Sequence, residues 1–149
     1  MAVAAALCLG SASGAQAAAK CSFTVVTGVS FGNYNVFNPL NTLANGTLDV
    51  DCNSVGRRGT SITISLAKGN SPTFSRYMLK AAIHLNYNLY LDPAPTTIWG
   101  DGTDGTSFFG PMPVVNNVPV VTTIYGQIPA AQDVSGGAYT DTITATVSY

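Results

Sequence analysis

Apolar residues in this chain recur at every second position, and nowhere do they hold the three-and-four spacing of a helix over a useful length. TSITISLAKG alternates Ile62, Ile64 and Leu66 with small polar residues. TLDVDC sets Leu48, Val50 and Cys52 against Thr47, Asp49 and Asp51. IHLNYNLYLD sets Ile83, Leu85, Tyr87, Leu89 and Leu91 against His84, Asn86, Asn88 and Tyr90. CSFTVVTGVSFG places Phe23 and Val25 on one side, and VVNNVPVVTTIYGQIP and TDTITATVSY read as further strands. A period of two belongs to an extended chain with one buried face. Turn-rich stretches separate the runs: NYNVFNPLNTLANG, NSVGRRG, GNSPTFSRYMLKAA, PAPTTIWGDGTDGT and AAQDVSGGAY. The pattern predicts about seven strands at the spacing of an antiparallel sandwich.

The architecture expected is therefore all-β, an immunoglobulin-like two-sheet sandwich in one domain. The likeness to antibody domains is architectural only, since those carry a Trp between two distant cysteines and here the cysteines are N-terminal and close together. Hydrophobic residues make up 46% of the 149, charged residues 9%, and Glu is absent. That balance is the reverse of disorder, and Thr, Val, Ile and Tyr suit a pleated surface. With a net charge of −1 and Arg57–Arg58 as the one basic pair, no nucleic-acid footprint is expected. The last run, DTITATVSY, turns Ile143, Ala145, Val147 and Tyr149 one way and Thr142, Thr144, Thr146 and Ser148 the other. No turn follows it. The expectation is a strand whose edge something else must cover.

The first residues differ from the rest. MAVAAALCLG is an apolar run, SASGAQA is small and polar, and Ala15-Gln16-Ala17 fits a cleavage site, so residues 1–17 read as a secretory signal peptide. No Lys or Arg precedes the apolar run, which leaves room for a start placed too late. A rival reading makes the same stretch an extended strand, because Val3, Ala5, Leu7 and Leu9 alternate. The domain is then 18–149, about 130 residues, enough to bury a real core. Export would remove Cys8 and leave Cys21 and Cys52 as an even pair in an oxidising compartment, which favours a disulfide. It would close a loop of about 32 residues and contribute roughly 3–4 kcal/mol in the chain-entropy model. A metal site would want more ligands than His84 offers, and a catalytic thiol would want a basic partner.

Cys21, then FGNY at 31–34, GTLDVDC at 46–52, Arg76 and Met78, LNYNLYLD at 85–92, IWGDGT at 98–103, YGQIPAAQDV at 125–134 and the closing YTDTITATVSY follow one another in an order similar to the spore coat protein U domain of archaic, Csu-type chaperone–usher pili. The resemblance covers 21–149. It implies an incomplete immunoglobulin-like sandwich, completed by a donated strand. The strand would come from a periplasmic chaperone, then, through an outer-membrane usher, from the neighbouring pilus or coat subunit. It implies that Ile143, Ala145, Val147 and Tyr149 border the strand-acceptor groove, and that the protein passes through the periplasm to the cell or spore surface. Polymerising subunits of this kind carry a donor segment ahead of the first Cys. Cleavage at Ala17 would leave Ala18, Ala19 and Lys20 there, fewer than the five or so residues of a strand. An acceptor-only terminal or coat subunit is then expected; if residues 2–16 are kept, they are the donor. The alternative function is an adhesin or lectin-like binding module.

The remaining motifs read blandly. His84 faces away from its strand's apolar side and is expected in solvent. Asp101-Gly102-Thr103-Asp104-Gly105 resembles part of a calcium loop but lacks its closing Glu, so a turn is the default. Trp99 is expected in core or interface rather than on a sugar platform. Arg76 either pairs with an acid or caps carbonyls. Asn45-Gly46-Thr47 fits a sequon and reads more simply as a turn. No nucleophile–base pair is visible. No enzyme, cofactor, metal or small-molecule substrate is expected.

Overall fold

The computed structural model describes residues 18–56 and 60–149; the signal-peptide reading, Cys8 and the Arg57–Arg58 pair lie outside them. Nine strands and no helix are present among the described residues. Sheet one runs in the order β1 (Lys20–Thr27), β2 (Thr42–Asn53), β8 (Val120–Ile128), β6 (Asn88–Tyr90). Sheet two runs β7 (Phe109–Val114), β3 (Thr60–Leu66), β9 (Ala145–Ser148). A separate hairpin joins β4 (Tyr77–Lys80) to β5 (Ile83–Asn86). All pairings of these strands are antiparallel. The all-β sandwich expected from the alternation is the one observed.

The alternating residues meet between the sheets. Leu48, Val50 and Cys52 of β2 are buried against Ile62, Ile64 and Leu66 of β3, with Leu85, Leu89, Ile124 and Ile128 beside them. Trp99 is fully buried there and its Nε1 donates to the Ile64 carbonyl at 2.8 Å, so the indole fills core and spends its one polar atom on a strand. Arg76 is buried to the same degree. Its guanidinium donates to the carbonyls of Ala67 (2.8 Å) and Trp99 (2.7 Å) and to Asn88 Oδ1 (2.8 Å). Of the two roles left open for Arg76, it caps carbonyls. Burial lowers its pKa, opposed by the nearby carboxylates of Asp141 and Asp101.

Four local readings are corrected. Phe23 and Val25 do not share a face. A bulge between them shifts the register, so Phe23 lies opposite Val50 while Val26, not Val25, lies opposite Leu48. Asn45-Gly46-Thr47 is not a turn but the interior of β2, where Gly46 passes so close to β1 that a Cβ would stand 2.5 Å from the Thr27 carbonyl oxygen. The run IHLNYNLYLD breaks at Tyr87 into β5 and β6, and Asn88 is buried because its amide bonds Arg76 and the Phe74 carbonyl. That break, and β4 inside a stretch read as irregular, raise the count from about seven strands to nine.

Candidate functional site: an apolar cleft between two sheet edges

Among the described residues β1 has a partner on one side only, β2, and β9 likewise has only β3. These two edges face one another across a seam, and along it the sandwich opens into a cleft of about 280 Å³. Val26, Val29 and Phe31 line it from the β1 side; Ile143 and Ala145 line it from the β9 side. Between them lie side chains of the core itself, Leu48, Leu66, Leu89 and Ile124. Val26 is 65% exposed among the described residues.

The local sequence explains both banks. Past the bulge the chain leaves β1 at Thr27 and carries Val29 and Phe31 inward at a period of two. They seat over Gly126 of β8, where a Cβ would come within 2.6 Å of Val29 and 2.7 Å of Phe31. The Phe31 and Tyr87 rings meet in a T-shaped pair, centroids 5.9 Å apart. On the other bank Thr140 exchanges two backbone hydrogen bonds with Leu79 of β4 (2.8 and 3.1 Å) before the chain reaches β3, where the Ala67 amide donates to the Thr144 carbonyl at 2.9 Å. β9 is therefore shorter than the run DTITATVSY.

One polar pair sits in this apolar lining. The Tyr87 hydroxyl donates to Asp141 Oδ2 at 2.7 Å. Asp141 Oδ1 accepts from the backbone amides of Asn70 (2.8 Å) and Thr142 (2.7 Å). The carboxylate comes so close to Gly69 (φ +70°) that no side chain fits there. Burial first, then the hydrogen bond to Asp141, pushes the Tyr87 phenol far above its ordinary range, so it stays protonated and donates.

The expected site residues are placed as follows. Cys21 and Cys52 are opposite one another in the β1–β2 register and are disulfide-bonded. Ile143 and Ala145 line the cleft, Val147 packs against the core, and Tyr149, 58% exposed, lies beyond β9 and outside the lining. The sequence reading missed Val26, Val29, Phe31, Met78, Tyr87 and Asp141. Asp141 carried a signal: it shares the phase of Ile143, Ala145 and Val147 and is half-buried as they are. Of the other motifs, His84 is exposed and stacked on Tyr77 with centroids 3.9 Å apart. Asp101 Oδ1 accepts the Thr103 amide at 2.9 Å in a tight turn, and Asp104 pairs with Lys68 at 3.1 Å. Trp99, in the core, presents no platform to a sugar.

Fold and cleft together define a two-sheet β-sandwich that is open along one seam. The Spore Coat Protein U domain model matches residues 7–146, and the chain belongs to that family. Protein U of Myxococcus xanthus is 29% identical over 151 residues, covering 91% of this chain and 80% of that protein. Among solved structures, the chaperone–tip adhesion subunit pre-assembly complex CsuC–CsuE, from archaic chaperone–usher Csu pili of Acinetobacter baumannii, contains a chain of similar fold. Its TM-score is 0.50 at 18% identity over 89% of this chain, which spans 40% of that one. The likeness to that structure is one of fold.

Proposed function

We propose that this chain is a structural subunit of a secreted fibre or coat, and that a strand lent by another polypeptide closes its seam. The observation that carries this reading is the cleft: an apolar hollow floored by the core lies between two sheet edges whose outer backbone groups have no strand beside them among the described residues. A strand added at the β9 edge supplies ladder hydrogen bonds and lays alternate side chains onto Leu48, Leu66, Leu89 and Ile124. The similarity to a subunit solved in a complex with its chaperone supports a periplasmic chaperone as first donor, an outer-membrane usher as the place of exchange, and a neighbouring subunit as last donor. Family membership supports export to the cell or spore surface.

The test is expression in a bacterial periplasm with and without the cognate chaperone. A soluble one-to-one complex is expected with it, and aggregation or proteolysis of the subunit without it. A stable, soluble monomer that ignores the chaperone sinks the reading. The intact mass of protein from its native surface tests the leader. A mass starting near Ala18, two hydrogens light for the disulfide, marks an acceptor-only subunit. A longer N-terminal segment marks a self-polymerising one.

A further inference from the structure

The cleft is not uniformly apolar, and its polar point has a fixed place. Asp141, Ile143, Ala145 and Val147 fall on one phase of the segment that leads into and along β9. Of these, Asp141 alone carries a polar side chain. Its carboxylate receives three donors, the Tyr87 hydroxyl and the amides of Asn70 and Thr142. A carboxylate has about four lone-pair sites, so acceptor capacity remains. While the cleft is open, water can meet it. Once a strand covers the cleft, an apolar side chain above Asp141 would strip that water and replace it with nothing, whereas a side chain bearing an O–H or N–H would take its place.

We propose that Asp141, held by Tyr87, sets the register and chemistry of the incoming strand: apolar residues at its inward positions except one, which faces Asp141 and carries a hydrogen-bond donor such as Thr, Ser or Lys. Because inward positions recur every second residue, a slip by two would put an apolar group over the carboxylate and a hydroxyl over Leu or Ile. Asp141 thus discriminates among donors that apolar fit alone would accept equally. The proposal rests on the strand-acceptor reading above.

The test uses the mature protein released from its chaperone and a labelled twelve-residue peptide with valine at every inward position. In a set of variants each inward valine is replaced in turn by threonine, and binding is followed by fluorescence anisotropy. One threonine position is expected to bind about ten-fold tighter than all-valine, the scale of satisfying one buried acceptor, and the others more weakly. In Asp141→Ala the favoured position loses its advantage while the all-valine peptide binds at least as well. Tyr87→Phe, which keeps the ring and frees the second carboxylate oxygen, should sharpen the preference. Binding with a flat threonine profile in the unaltered protein overturns the role of Asp141 and leaves strand acceptance standing. No binding of any peptide overturns both.

Discussion

At the scale of single residues, the buried polar groups make the sharpest demands. Arg76 ties together the carbonyls of two segments, Leu66–Ala67 and Trp99. Arg76→Leu keeps bulk but orphans those carbonyls, and we expect a loss of at least about 3 kcal/mol in urea unfolding. Tyr87 and Tyr90 make a pH prediction. Burial raises both phenol pKa values, in Tyr87 also by its bond to Asp141, in Tyr90 also by the charge of Asp92. A folded-state pKa raised above the unfolded value leaves stability intact below the unfolded value of about 10 and erodes it above, as the unfolded chain alone gives up its proton. Stability should therefore fall steadily from about pH 10, and Tyr87→Phe should shallow that fall in denaturation midpoints taken across the range. A slope unchanged by the substitution would show that Tyr87 titrates as freely folded as unfolded.

At the scale of elements, β1 and β9 matter most because each borders the seam. Gly46→Ala drives a Cβ against the Thr27 carbonyl, so β1 must lift. The expected cost is about 1–3 kcal/mol. Hydrogen exchange should locate it at Val25–Thr27, with Ser22 and Phe23 spared by the adjacent disulfide. Deleting residues 144–149 removes β9, the partner of Thr63–Leu66, and should abolish accumulation of the protein; a normal yield would contradict the role given to that edge. The elements also show where a period-two reading succeeds. Leu48–Cys52 and Ile62–Leu66 were legible because each runs through the sandwich without interruption. Val25 and Asn88 were misplaced because a bulge and a buried arginine break the phase, and both depend on residues distant in sequence. Of the last run, Ile143 and Ala145 line the cleft, while Val147 and Tyr149 stand outside its lining. The β1 side was not legible, since Val29 and Phe31 belong to no strand and owe their position to Gly126, nearly a hundred residues on.

At the scale of the whole molecule, an open seam predicts that stability depends on an occupant. A peptide that fills the cleft should raise unfolding free energy by about 2.7 kcal/mol at a hundredfold excess over its Kd, visible as a concentration-dependent Tm. A Tm indifferent to saturating peptide would place the bound strand elsewhere. The disulfide has a separate consequence, for mechanical strength. β1 is antiparallel to β2, and Lys20 lies opposite Asn53 at the open end of the ladder. Tension on the chain ahead of Lys20 would peel such a pair like a zipper, one modest hydrogen bond at a time. The rung after Lys20 is Cys21–Cys52, and it is covalent. The pull therefore passes straight into β2, an inner strand held on both sides, and the edge beside the cleft is relieved of load.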